Sequence, residues 1–198
     1  GIFGHKLDVR THLLLARAER VDQWARLVRR AGFSGATPVL SGLASAYGVL
    51  SPEERQGERI VWDLGKDYLN GLAMREGRIL EYRTLLSAAA EWGHASDVLL
   101  AVCQEFKKKH PGISEVVLTG DLAKEDRRHA ELKNGLDIPV RNAAPLGMTR
   151  LEDSQHASIA GLLRLAGEIE KKSLILRPEK NTLNLARAKV RSFLSDYF

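Results

Sequence analysis

The chain alternates between short apolar runs and segments whose apolar residues recur every three or four positions. Residues 7–16 carry a short apolar run that predicts a strand, and residues 37–40 predict a second, brief strand. Residues 21–31 and 43–50 carry apolar side chains at helical spacing, and Gly32 follows the first of these segments as a stop signal. The first quarter of the chain is therefore predicted to alternate between β and α elements.

Three short strands are predicted next, at residues 59–64, 68–74 and 79–84. The last two meet at Glu76-Gly77, a pair that suits a tight hairpin turn, so the three strands should form a meander. Residues 85–109 then predict a helical region.

The rest of the chain returns to alternation. Residues 116–119 are a very apolar strand, 124–133 a polar helix, 138–140 a short strand, and 154–169 a helix with one apolar face. This order is typical of a mixed β-sheet flanked by helices, with at least one parallel crossover. The predicted fold class is therefore α/β.

Composition narrows the classes of protein. With 198 residues and 44% hydrophobic content, the chain can bury a core of one or at most two domains. No apolar run is long enough for a membrane span or a signal peptide, which predicts a cytosolic chain. The net charge of +5 is compatible with nucleic acid, anionic lipid or an acidic partner. Basic residues interleaved with aromatics are missing, so no nucleic-acid partner is expected.

Candidate catalytic and metal-binding residues are scarce. Cys103 stands among valines and leucines, where a thiol behaves as a small buried hydrophobe. The six histidines are scattered without metal-ligand spacing, so each is expected at the surface. The sequence predicts neither a catalytic residue nor a metal site.

The remaining candidate binding residues lie at the ends of two predicted strands. The first strand of the meander delivers Asp63, Leu64 and Gly65 into a turn, and Asn70 follows in the next strand. The strand at 116–119 ends on Thr119 and Gly120. Glycine at such turns lets backbone amides approach a ligand, and a carboxylate can hold a metal ion or its water shell.

Together these loops resemble the second phosphate loop and the adenosine motif of the actin-like ATPase superfamily, in the group of FtsA, PilM and GspL. The flanking stretches 43–55, 135–141 and 156–162 resemble the same group, so the resemblance covers most of residues 7–167. It implies the C-terminal half of an actin-like, ribonuclease H-like domain, with the first phosphate loop in the other half. It also implies nucleotide-binding roles for the matching positions, which are Asp63, Gly65, Asn70, Thr119 and Gly120.

The implied nucleotide site is degenerate. Lys66 and Asp67 replace glycines of the phosphate loop, while Asp121 and Leu122 replace glycines of the adenosine motif. A polar turn without a ligand is the preferred interpretation of the first loop, and Asp121 is expected to cap a nearby helix. No cofactor is predicted, and ATP with Mg²⁺ is expected to bind only if the missing half completes the site.

Only residues 85–113 lie between the meander and the strand at 116–119, so any inserted subdomain there is short. A short insertion together with degenerate glycine loops is most similar to GspL. The resemblance implies a non-catalytic scaffold of a bacterial inner-membrane platform, in type II secretion or type IV pilus assembly, that docks a secretion ATPase. The alternative is an FtsA-like ATP-binding cell-division protein that anchors filaments to the membrane. Both place the chain in the cytoplasm at the inner membrane, with platform proteins as partners and a homodimer left open.

The predicted boundary divides residues 1–167, the actin-like part, from a basic extension at 168–198. In that extension apolar residues recur at helical spacing, which predicts a cationic amphipathic helix for a membrane or a partner: Leu183, Val190, Phe193, Leu194 and Tyr197. Packing of this helix on its own domain is the alternative, and both interpretations stay open.

Overall fold

A computed structural model describes residues 15–34, 36–86, 92–124, 126–148 and 153–175. These residues form five helices and five strands, joined in part by short 3-10 helices at Glu54–Gln56, Asp121–Lys124 and Ser154–His156. In chain order the main elements are α1 (Ala18–Arg30), α2 (Ser41–Val49), β1 (Arg59–Leu64), β2 (Tyr68–Arg75), β3 (Arg78–Leu86), α3 (Trp92–Lys109), β4 (Val116–Thr119), α4 (Asp126–Gly135), β5 (Val140–Asn142) and α5 (Ala157–Ile175).

The strands form one mixed sheet in the order β3-β2-β1-β4-β5. β1, β2 and β3 pair antiparallel as the predicted meander, and β4 lies parallel to both β1 and β5. The meander's second turn uses positive φ at Glu76 (52°) and Gly77 (69°), which suits the right-handed twist of the flanking strands. The predicted α/β fold class and the parallel placement of β4 are confirmed.

Each face of the sheet is covered by helices. Ile60, Trp62 and Leu64 of β1 pack with α3 on one face, while Val61 and its neighbours pack with α2 on the other. Because both faces of β1 and β4 are buried, these strands are almost continuously apolar. Asp63 and Thr119 interrupt this pattern at the strand ends, and they mark the edge of the sheet where polar chemistry collects.

Helices α2 and α5 cross at a contact made of small residues. A Cβ on Gly161 would lie 1.6 Å from the carbonyl oxygen of Ala44, and one on Gly48 would lie 2.0 Å from that of Ala157. No side chain fits at either glycine, so the two backbones touch directly. This contact fixes α2, and with it the Ser45 side chain, against the edge of the sheet.

Three predicted segments need correction. Residues 37–40 form no strand, and Pro38 among them has no N–H for a ladder. Leu85 and Leu86 do not begin a helix; they extend β3 because β2 already starts at Tyr68 and pairs with them. The strand predicted at 138–140 starts later, at Val140.

The apolar residues of α1 recur at helical spacing, but none of its residues is buried, and Trp24 is 67% exposed.

Helix α5 continues past residue 167 to Ile175, while the domain boundary predicted at 167 stays a prediction. Most of the predicted strand at 7–16 and the tail beyond 175 lie outside the described residues. Within the described part of the chain, every helix is too short or too polar to cross a membrane.

Candidate functional site

The two loops singled out in the sequence meet at one edge of the sheet. Asp63 and Thr119 are register partners at the carboxyl ends of the parallel strands β1 and β4. Gly120 follows with φ of +95°, and a Cβ there would lie 2.7 Å from Oδ1 of Asp63 and 2.7 Å from the backbone N of Leu64. The strand ends therefore approach so closely that only glycine fits at position 120.

The carboxylate of Asp63 is turned into the protein. Its Oδ2 accepts a hydrogen bond of 2.9 Å from Oγ of Ser45 on α2. Burial raises the pKa of Asp63; the Ser45 hydrogen bond opposes this rise, and the charge of Asp121 adds to it. The site thus holds a half-buried carboxyl whose charged form is disfavoured.

The turn after Asp63 is a tight hairpin. The Gly65 N–H donates to the Tyr68 carbonyl at 3.0 Å, and a Cβ on Gly65 would lie 2.9 Å from that oxygen. Lys66, Asp67 and Tyr68 are exposed. The Gly65 N–H is therefore already hydrogen-bonded within the turn. At the next two positions, where phosphate-binding loops have glycines with free amides, this chain exposes the side chains of Lys66 and Asp67.

Asn70 lies opposite Asp63 in the β1–β2 ladder. Its Oδ1 accepts hydrogen bonds from Tyr82 at 3.2 Å and from Thr84 at 3.0 Å, both on β3. The amide oxygen of Asn70 is thus held by β3, which links β2 and β3 within the meander.

Ser154 closes the site from the side of α5. Its carbonyl accepts from Oγ1 of Thr119 at 3.1 Å and from the N–H of Gly120 at 3.2 Å. Its own Oγ donates to the Gly120 carbonyl at 2.8 Å. These three bonds engage the Thr119 hydroxyl and the N–H and carbonyl of Gly120, in the turn that resembles the adenosine motif. The hydroxyl of Thr119 therefore bonds to the protein itself.

A cleft of about 480 Å³ opens beside this turn, between the ends of β4 and β5. Its lining comprises Ala123, Lys124, Asn142, Ala143, Ala144, Asp153 and Ser154. Lys124 donates to Asp153 at 2.5 Å, and this hydrogen bond holds the pKa of Asp153 below its ordinary value. The two charged side chains that line the cleft are therefore paired with each other.

Sequence reasoning missed Ser45 and Ser154, the two hydroxyls that hold the site together. Both serines are buried. The available signal for Ser45 was a single hydroxyl in the largely apolar stretch 43–50, whereas Ser154 stands between the polar residues Asp153 and Gln155 and has no such signal. Asp121 is the first residue of the 3-10 helix Asp121–Lys124, next to Asp63.

Cys103 behaves as its sequence context predicts. It is buried, the indole N–H of Trp62 donates to its sulfur at 3.1 Å, and burial raises its pKa to about 12. Among the residues with described positions, no group of three or more potential His, Cys, Asp or Glu ligands converges on one point. The predicted membrane or partner helix, with Leu183 and Phe193, lies outside the described residues.

The sequence of the chain was compared with family models and with curated proteins. No family model matches the chain. Over 122 residues it is 30% identical to the cell division protein FtsA of Borreliella burgdorferi, an alignment that covers 58% of this chain and 30% of FtsA.

Solved structures extend the comparison. MreB5 of Spiroplasma citri bound to ADP superposes with a TM-score of 0.62 at 10% identity, over 82% of this chain and 69% of MreB5. The PilM-PilN type IV pilus biogenesis complex matches with a TM-score of 0.54 at 19% identity, over 75% of this chain and 58% of the matched one. The chain thus spans less than two thirds of FtsA and of the matched pilus protein. These comparisons show that the chain has the actin-like fold, in the superfamily that includes FtsA and PilM.

Proposed function

We propose that the chain is part of a non-catalytic actin-like scaffold in a bacterial inner-membrane platform, of a type II secretion or type IV pilus system, that docks a secretion ATPase. The observation that carries this proposal is the turn from Gly65 to Tyr68. Its one glycine amide is bonded within the turn, and Lys66 and Asp67 follow it on the surface. A loop built this way has no free glycine amides to close on a phosphate.

The environment of Asp63 supports the same proposal. A carboxylate that serves Mg²⁺ or its water shell acts in its charged form. Here burial and the nearby charge of Asp121 favour the neutral form, and Ser45 occupies one of the two carboxylate oxygens. Asp63 thus works as a structural link between β1 and α2.

The known relatives favour a role in assembly. The matched pilus protein is solved in a complex with PilN, and FtsA is a cell division protein. A chain that keeps this fold while losing the nucleotide loops retains a large helical surface for protein partners. The proposed place of action is the cytoplasmic side of the inner membrane, and the finer resemblance to GspL belongs to this proposal.

An FtsA-like ATP-binding protein is the second candidate. The 30% identity to FtsA over 122 residues favours it, together with the close approach of Gly120 to Asp63 at the strand ends. In this alternative the other half of the fold supplies the first phosphate loop and completes the site.

A chromosomal Asp63→Asn substitution separates the two candidates. Asparagine keeps the size of the side chain and an oxygen for Ser45 but removes the charge that a metal–nucleotide complex needs. A scaffold should support wild-type secretion or piliation with this substitution, at an unchanged protein level on immunoblots. Loss of function as complete as in the deletion strain would support the ATP-binding alternative, and cell filamentation in the deletion strain would point to division.

A further inference from the structure

Strand β3 forms one edge of the sheet. Within the described residues it pairs with β2 alone, so the N–H and carbonyl groups on its other side have no strand partner there. β3 has nine residues, more than any other strand of this sheet, whereas β5 at the opposite edge has only three. Edge strands are usually kept short, because a long open edge is a template for another strand. β3 is therefore the edge at which the sheet can be extended.

The side chains of β3 lie on two faces of the sheet. Glu81 and Arg83 lie on the face covered by α3, where Glu81 contacts Lys109 at 3.5 Å and Arg83 contacts Glu105 at 3.0 Å. Tyr82 lies on the opposite face and packs against the cluster beneath α2. Both charged side chains stay partly open to solvent, with 23% of Glu81 and 43% of Arg83 exposed. Opposite charges thus stand two positions apart on one face, one on each side of Tyr82.

This spacing makes the edge complementary to itself. If two β3 strands pair antiparallel with a two-fold axis at Tyr82, Glu81 of each copy lies opposite Arg83 of the other. Side chains that are directly opposite have Cβ atoms about 4.5–5.5 Å apart, and opposite charges in such positions stabilise the pair. In the same register Leu80 lies opposite Thr84, and no two like charges meet along the strand.

We infer that β3 is the edge at which two copies of this chain associate, by antiparallel pairing about Tyr82 that joins their sheets. This inference is independent of the proposed function. Charges on an edge strand ordinarily keep copies apart. On β3 the two signs alternate so that a second copy is attracted, and each new ion pair continues the existing contacts of Glu81 and Arg83 with α3.

A bulge limits the extent of the pairing. Ile79 pairs with Met74 and Glu81 pairs with Ala73, so Leu80 between them has no register partner on β2. Bulges increase the local twist of an edge and interrupt regular pairing. The contact is therefore centred on residues 81–83 and their immediate neighbours. A contact this short predicts a weak, reversible dimer that forms only at micromolar or higher concentration.

Charge reversal in the full chain tests the register. Glu81→Arg leaves two basic residues on this face and Arg83→Glu leaves two acidic ones, so neither variant should pair with itself. A 1:1 mixture of the two variants should dimerise again, because each basic side chain then meets an acidic one on the other chain. In sedimentation velocity over a concentration series, the wild type and the mixture should dimerise at least about tenfold more tightly than either variant alone.

Three results of this experiment would overturn the inference. The first is a wild type that stays monomeric up to millimolar concentration. The second is a single variant that dimerises as tightly as the wild type. The third is a mixture that dimerises no better than its components, when circular dichroism shows both variants to be folded.

Disulfide trapping is independent of these charges. Position 82 of one copy lies directly opposite position 82 of the other, at a Cα separation of about 4.5–5.5 Å that suits a disulfide. Tyr82→Cys should therefore give a covalent dimer on non-reducing gels. Thr84→Cys is the matched control: both side chains donate to Asn70, but the two copies of position 84 would be about 14 Å apart. Equal dimer formation by the two variants, or no dimer from Tyr82→Cys, would contradict the pairing about Tyr82.

Discussion

Gly120 and Asp63 are in contact at the edge of the sheet: a Cβ on Gly120 would lie 2.7 Å from the Asp63 carboxylate. The protein itself thus requires glycine at position 120. At positions 66, 67, 121 and 122, the fold accepts larger side chains, and there the glycines of the resembled loops are absent. Close packing explains both glycines that match the resembled loops, Gly65 and Gly120. The glycines that are absent are those that a phosphate or an adenosine would require.

Gly120→Ala should lower the free energy of unfolding by about 2–4 kcal/mol, because it combines left-handed backbone strain with a clash against Leu64 and Asp63. Urea denaturation measures the change. Gly32→Ala is the matched control, since Gly32 has φ of +93° and nothing within 4 Å of a Cβ. It should cost only about 1 kcal/mol. Equal costs at the two positions would show that the contact with Asp63 has no energetic weight.

Asp63→Asn should stabilise the protein at pH 7. Because the folded state raises the pKa of Asp63, its contribution to stability is full below the unfolded pKa and is lost as pH rises through the folded pKa. The gain from asparagine should therefore be largest at neutral pH and should shrink as pH falls toward 3.8, the ordinary value. Denaturation curves at pH 7 and pH 4 test this, with exposed Asp67→Asn as control. If the stability gained by Asp63→Asn were larger at pH 4 than at pH 7, the conclusion that burial disfavours the charged form of Asp63 would be contradicted.

Gly161→Ala should destabilise the protein by at least about 3 kcal/mol, although alanine is the better helix former. The added methyl group would overlap the backbone of Ala44 and force α2 and α5 apart. Gly167→Ala in the same helix has open space around its Cβ and should gain about 0.5–1 kcal/mol. Thermal melts of the two variants should shift in opposite directions, and a shared upward shift would exclude the α2–α5 backbone contact.

Cys103 should resist thiol reagents in the native protein at pH 8, because its pKa of about 12 leaves almost no thiolate and the sulfur is buried. Labelling should become complete in denaturant. Lys108→Cys, an exposed position on the same helix, provides the control and should react within minutes. Native labelling of Cys103 as fast as that of the control would contradict its packing against Trp62.

The strand pattern of the sheet is predictable from the sequence because its signals are local. Apolar runs and the Glu76-Gly77 turn specify the meander, and the run at 116–119 specifies β4. Element ends were less predictable: Leu85 belongs to β3 through its pairing with Leu69, a contact that no local pattern encodes.

The site was predictable in part. Asp63 and Thr119 follow apolar runs, so their meeting at one edge follows from parallel pairing. Ser45 and Ser154 reach the same place only through the packing of α2 and α5, and their bonds decide which groups of the site remain available. The apolar neighbours of Ser45 suggest that its hydroxyl is buried, but the sequence does not identify the partner of either serine, because both partners are distant along the chain.

Calorimetric titration of this chain with Mg-ATP tests the degenerate site most directly. The occupied Gly65 amide, the side chains at Lys66 and Asp67, and the charge-disfavouring surroundings of Asp63 predict no binding at sub-millimolar concentration. The expected result is a flat isotherm, the same for the wild type and for Asp63→Ala. A micromolar isotherm in the wild type that Asp63→Ala abolishes would contradict it.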